Sequence, residues 1–197
     1  LADEAGETAL AMQLSNPVAA LISVPFQLNY DRDIGPADEG SRWLMNFQPV
    51  VPIGLDADWN VISRTIVPVI RQDDVFPGAG SQFGLGDTVQ SLFFSPKAPT
   101  ADGVIWGVGP VLLLPTGTDE LLSSEKWGLG PTGVVLRQAG PWTYGLLANH
   151  LWSVAGTSSR ADVNSTFLQP FVSYTTPEAW TFTVTSESTY DWELEQW

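Results

Sequence analysis

Cysteine is absent from the 197 residues, and histidine occurs once, at His150. Disulfides, thiolate metal sites, iron–sulfur clusters, cysteine nucleophiles and multi-histidine metal centres are therefore excluded together. No cofactor and no resident metal are expected. Charge is also scarce: charged residues are 15% of the chain against about 25% in ordinary soluble domains, while apolar residues reach 44%. Basic residues are the scarcest of all, 8 Lys plus Arg against 22 Asp plus Glu, for a net charge of -14. A nucleic-acid partner needs a basic face to neutralise phosphates and is not expected. No apolar run approaches the length of a membrane-crossing helix, the longest candidates being as short as Val111-Leu112-Leu113-Leu114. The N-terminus shows no basic segment followed by an apolar core, so a signal peptide is either absent or already removed.

Helical periodicity is nearly missing too. Only Glu7 to Leu14 reads as a short helix, stopped by Asn16-Pro17. The rest alternates. From Ile22 to Asp31, Ile22, Val24, Phe26, Leu28 and Tyr30 take every second position and polar or small residues take the others. Near the end, Trp180, Phe182, Val184, Tyr190 and Trp192 share one face, while Thr181, Thr183, Thr185, Glu187 and Asp191 share the other, with a break at Ser186 and Ser188. Weaker alternation predicts strands near 42–53, 59–70, 84–95, 104–115, 127–138, 142–152 and 163–175, so about nine in all.

The predicted connections differ in length. Those at Arg32–Ser41, Gln72–Phe83, Thr116–Lys126 and Ser153–Asp162 are long and polar or acidic; those at Leu55–Asp58, Ala139–Pro141 and Thr176–Glu178 are short, and Pro96–Gly103 is intermediate. Alternating long and short turns suit an up-and-down meander with one rim outside the cell and one in the periplasm. The chain has nine Trp, and eight of them, from Trp43 to Trp192, lie at or near predicted strand ends, where an amphipathic ring meets a membrane–water interface. The fold class expected is all-β: an antiparallel up-and-down transmembrane β-barrel preceded by a short helix.

Several motifs have a bland reading that outweighs the sharp one. Phe83-Gly-Leu-Gly-Asp87, Trp106-Gly-Val-Gly-Pro110 and Trp127-Gly-Leu-Gly-Pro131 resemble one another, and the third extends to a formal dinucleotide fingerprint through Gly133. That fingerprint needs a helix after it, whereas Val134-Val135-Leu136 continues as strand, so closely packed backbones are the better account. His150 follows Trp142, Tyr144, Leu146 and Ala148 on one alternating face and reads as an interfacial or packed histidine, not a general base. No nucleophile elbow occurs, and Glu187 and Asp191, about 13 Å apart along a strand, are too distant for a glycosidase pair. The chain is not expected to be an enzyme. Acidic pairs such as Asp38-Glu39, Asp73-Asp74 and Asp119-Glu120 lie in the long connections, where solvation is the default and divalent cations bridging lipopolysaccharide phosphates are the sharper alternative. Asn164-Ser165-Thr166 is a formal glycosylation sequon without meaning in a bacterial chain.

The segments Asn16-Pro-Val-Ala19, Leu21-Ile-Ser-Val-Pro-Phe26, Gln48-Pro-Val-Val-Pro52, Ser63-Arg-Thr65, Ser91-Leu-Phe-Phe-Ser-Pro-Lys97, Trp106-Gly-Val-Gly-Pro110, Gln169-Pro-Phe171 and Glu187-Ser-Thr-Tyr-Asp-Trp192, in order from about residue 10 to the end, resemble a bacterial family of outer-membrane proteins. The family is associated with the MetA pathway of phenol degradation and is elsewhere labelled a transporter or a neuromedin U homologue. The resemblance implies an outer-membrane barrel admitting hydrophobic or aromatic compounds and assigns no catalytic residue. It also implies further strands after Trp197, about twelve in a complete member, an even count as bacterial barrels normally have. Glu193 and Glu195 stand where a closing strand would be apolar.

The expected organisation is an N-terminal periplasmic segment over residues 1–17, able to act as a lid or plug, and a barrel domain over 18–197 that is C-terminally incomplete. The expected function is an outer-membrane channel for small solutes, with Arg64, Gln169, Thr185, Glu187 and Asp191 lining the lumen and selecting permeants by charge and size. Its expected partners are outer-membrane lipid, lipopolysaccharide and the small-molecule permeant; oligomeric state is left open. The alternative is a soluble or secreted barrel that binds an apolar ligand inside, which demands apolar inner and polar outer faces.

Overall fold

A computed structural model describes residues 2–197, with side chains from residue 6 onward. Residue 1 of the expected N-terminal segment lies outside that range. Helix α1 spans Ala2–Leu14, longer than the predicted 7–14. It ends where expected: Asn16 Oδ1 accepts a hydrogen bond from Val18 N at 3.0 Å, and Pro17 cannot continue the helical ladder.

Nine antiparallel passes follow, and three of them are interrupted. Pass one is β1 (Phe26–Ile34), and pass two is β2 (Gly40–Phe47) with β3 (Val50–Gly54), broken at Gln48-Pro49. Pass three is β4 (Trp59–Asp73); pass four is β5 (Ser81–Leu85) with β6 (Thr88–Pro96), broken at Gly86-Asp87. Then come β7 (Val104–Leu114), β8 (Lys126–Ala139), β9 (Trp142–Gly156) and β10 (Asn164–Thr175), and last β11 (Thr181–Thr185) with β12 (Ser188–Asp191). Each pass pairs with its sequence neighbours, so the sheet is a pure meander running from β1 to β11 and β12. It curls into a half-barrel. Among the described residues β1 does not pair with β11 or β12, which leaves these strands as the two edges.

The strands lie close to their predicted places because period-two alternation is the dominant local signal. The sorting of connections is blunter than predicted. Strands run farther toward the long-loop rim, so only 35–39 separate β1 from β2 and only 157–163 separate β9 from β10, while 115–125 remains a true long loop. At the opposite rim a two-residue turn at Gly140-Pro141 joins β8 to β9, with Gly140 at φ +58.

Burial assigns the faces. In β8 every second residue from Lys126 to Leu136 is buried or half-buried, and the intervening Trp127, Leu129 and Val135 are exposed. The inner face holds Ile62 and Phe93, both at 0% exposure, with Val18, Val134, Leu136 and Leu147 in one cluster. A second, smaller cluster of Val111, Leu113 and Leu151 sits nearer the long-loop rim. The outer face is the apolar one: Phe26, Leu28, Met45, Val108 and Leu146 are all exposed there, and Val184 reaches 73%.

Candidate functional site: the lumen of the half-barrel

The lumen is closed by different devices at its two ends. At the short-turn rim, α1 is tied down by Gln138 Nε2 donating to Met12 O at 2.9 Å and Thr8 Oγ1 donating to Pro177 O at 2.8 Å. The chain then threads inside, where Val18 joins the inner apolar cluster. Gly107 makes room for it: a Cβ there would lie 3.3 Å from Val18 Cγ1 and 3.2 Å from Phe93 Cβ.

At the long-loop rim, loop 115–125 folds onto the inner face and is gathered by Asp87. The Asp87 carboxylate accepts from Gly117 N at 3.1 Å and from Ser123 Oγ, Ser124 N and Ser124 Oγ, each at 2.6 Å. Leu122 is buried, and a Cβ on Gly84 would strike Thr118 of the loop. The repeated glycine motifs are thereby explained. Each puts two side-chain-free residues on the inner face of β5–β8, and the fingerprint-like Gly128–Gly133 lies wholly within β8 with no helix after it.

Beside the loop, Lys126 Nζ meets Asp162 Oδ1 at 2.8 Å, and Ser153 Oγ donates to the same oxygen at 3.0 Å. The hydrogen bond from Lys126, then that from Ser153, then the Lys126 charge, hold the Asp162 carboxyl below its ordinary value. Arg160 binds the loop as well, donating to Ser123 O at 2.5 Å and to Glu120 O.

Between the two closures lies a cavity of about 240 Å³. Its floor is the chain from Gln13 to Pro25, and its walls come from two flanks that curvature brings face to face. On one flank Arg64 Nη2 donates to Gln48 Oε1 at 2.8 Å, and Gln48 Nε2 donates to Gln27 Oε1 at 2.8 Å. On the other, Gln169 Nε2 donates to Glu187 Oε1 at 2.8 Å, and Ser173 shares a 2.8 Å hydrogen bond with Thr183. Arg64 and Glu187 act on each other electrostatically without an ion-pair contact among the described residues. The guanidinium and the carboxylate thus set a transverse field across the lumen.

Of the five residues singled out in the sequence, Arg64, Gln169 and Thr185 line this cavity, and Glu187 is held beside it by Gln169. Asp191 is elsewhere. Its Oδ1 accepts from Glu193 N at 2.9 Å and Leu194 N at 3.1 Å, so the carboxylate caps a turn at the long-loop rim. Sequence reasoning missed Gln27, Gln48, Ser173 and Thr183. Alternation carried the signal for both Gln27 and Gln48, the latter on the polar set with Arg42 and Asn46, but did not say that they meet Arg64.

His150 is on the outer face, with Nδ1 2.7 Å from Thr166 Oγ1 and its ring centroid 4.1 Å from that of Trp152. Trp192 Nε1 donates to the same Thr166 hydroxyl at 2.8 Å. Among the described residues no group of three or more His, Asp or Glu is placed to hold a metal ion. Asp31 is engaged by Arg42 at 2.9 Å, and Asp73 by Arg71 at 3.6 Å. No helix among the described residues is long and apolar enough to cross a membrane, which says nothing of strands. No protein-family model, curated protein or solved structure matches the chain.

Proposed function

We propose that this chain forms the wall of a bacterial outer-membrane β-barrel that passes small solutes through a narrow, polar lumen. One observation carries the reading: the outer face of the curled sheet is apolar, while the inner face carries buried polar residues beside its two apolar clusters. Aromatic side chains band that outer face at two levels. Trp59 and Trp106 pair at 5.8 Å and Trp142 and Tyr174 at 4.9 Å near the short-turn rim. Tyr30 and Trp43 pair at 4.5 Å and Tyr190 and Trp192 at 4.9 Å near the other. Trp142 and Trp152 mark both levels on one strand. Their ten-residue separation is about 33 Å along the strand and about 25 Å along a barrel axis at a tilt of about 40°, the height of an outer-membrane apolar band.

The soluble alternative calls for a polar outer face, whereas Phe26, Leu28, Val108, Leu146 and Val184 are exposed there. The family resemblance of the motifs extends the proposal to hydrophobic or aromatic permeants. The membrane reading also requires strand partners for both sheet edges, since an unpaired backbone is prohibitively costly in hydrocarbon.

The test is to express the chain behind a secretion signal, fractionate the envelope, and compare heated and unheated samples by electrophoresis. Outer-membrane fractionation, a need for detergent and a heat-modifiable band are expected, followed by solute-dependent swelling of proteoliposomes. A monodisperse protein that needs no detergent overturns the reading.

A further inference from the structure

Seven of the eight Lys and Arg side chains have a partner. Arg32, Arg42, Arg71, Lys126 and Arg160 pair with carboxylates, Arg64 with Gln48, and Lys97 with Asp56 O. Among the described residues Arg137 alone has neither a hydrogen bond nor an ion pair, in a chain of net charge -14 that offers carboxylates in excess. An unpaired cation in such a chain points to an anion from outside it.

Its position narrows the choice. Arg137 is exposed on the outer face of β8, two residues before the turn at Gly140-Pro141. In register it lies between Val104 of β7 and Tyr144 of β9, so Arg137 and Tyr144 are cross-strand neighbours on the outer face. Trp142 lies toward the turn, and Trp106 is level with Val135 on the other side, so Arg137 is within the aromatic band of the short-turn rim. Directly adjoining it is a shallow, largely apolar groove of about 490 Å³, walled on the outer face by Val104, Val135, Tyr144 and Leu146 and floored by the chain at Leu136, Gly145 and Phe171. A cation on a lipid-facing wall is tolerated near the interface, where its head reaches the level of the headgroups.

We propose that Arg137, with the Tyr144 hydroxyl, binds the phosphodiester of an anionic membrane phospholipid whose acyl chain occupies the groove beside Gly145. Both chemistries of the site are needed for this ligand: a planar fork of donors matched to phosphate oxygens, and an apolar trough continuous with it. Free phosphate would satisfy only the first. The inference rests on the membrane reading, because it places the groove at the level of the headgroups.

The experiment is native mass spectrometry of the heat-modifiable, detergent-extracted protein in mixed micelles holding equal amounts of phosphatidylglycerol and of diacylglycerol with the same acyl chains. The wild-type chain is expected to retain phosphatidylglycerol about tenfold over diacylglycerol, and Arg137→Gln to lose that preference. Arg137→Lys keeps the charge and is expected to keep a several-fold preference. Val135→Trp, which fills the groove, is expected to reduce both lipids. Equal phosphatidylglycerol retention by wild type and Arg137→Gln overturns the site while the membrane reading stands. A preference lost as fully in Arg137→Lys as in Arg137→Gln overturns it too, because the effect is then packing and not charge. Absence of the heat-modifiable band in the wild type overturns the membrane reading and this inference with it.

Discussion

The two ends of the lumen are shut by opposite chemistry. At the long-loop rim, loop 115–125 is held by one carboxylate, Asp87, which accepts four hydrogen bonds from Gly117, Ser123 and Ser124. At the short-turn rim, the N-terminal segment is held chiefly by an apolar contact, Val18 among Ile62, Phe93, Val134, Leu136 and Leu147, with polar ties at Thr8 and Met12 of α1 and backbone bonds between Ser23 and Val50. Directional bonds to a charged acceptor fix a loop in one geometry. Apolar packing fixes a segment by volume and is less demanding of orientation. The polar closure is therefore the more sharply fixed of the two, and the apolar one the more tolerant of displacement.

The comparison is broken most strongly at Asp87. Asp87→Ala deprives four donors of their common acceptor, and a loss of about 3 kcal/mol is expected. The check is a thermal unfolding shift together with new proteolytic cleavage confined to 115–125; a protected loop in the variant would sink the role given to Asp87. Val18→Ala removes two buried methyl groups and is expected to cost about 2 kcal/mol. Because it loosens the N-terminal segment, it should raise solute flux in proteoliposomes while loop cleavage stays as in wild type. An unchanged flux would show that the N-terminal segment does not obstruct the path.

A smaller change is expected between the closures. Arg64→Gln removes the cation of the transverse field and leaves Glu187 in place, so permeability should move toward cations by several-fold, with little change in stability. Reversal-potential measurements under a salt gradient read this directly, and no shift would mean that the permeant path avoids the 240 Å³ cavity.

The smallest effect concerns pH. Asp162 has a folded-state carboxyl below its ordinary value, so it stabilises the folded chain above the ordinary carboxylate range. That contribution is lost as pH falls through the folded value. Asp162→Asn should flatten the acid limb of a melting-temperature profile, only slightly because the carboxylate is exposed to screening. An acid limb identical to wild type would remove Asp162 from the account.

Much of the wall was legible in the sequence, and the reasons are local. Phe26, Leu28 and Tyr30 against Gln27, Asn29 and Asp31 define a strand with two unlike faces whatever it packs on. Trp180, Phe182 and Val184 against Thr181, Thr183 and Thr185 do the same at the other edge. The closures were not legible, because Asp87 meets residues 30 or more positions away and Val18 clusters with residues from four different passes. Asp191 shows the limit of parity. Alternation grouped it with Glu187, but a tight turn after β12 takes up its carboxylate first.

The sequence by itself determined the number and place of the nine passes, the short helix ending before Pro17, and the absence of thiol and multi-histidine chemistry. These follow from residue identity and from periodicities that operate within a few residues. Only the tertiary structure decided which face of each strand turns outward, because alternation is symmetric between the two. It alone decided that Arg64 and Glu187, on strands far apart in the sheet order, oppose each other across one lumen, since sheet curvature is a property of all the pairings together. Arg137 was likewise singled out only in three dimensions: a residue's lack of a partner is a statement about everything folded around it.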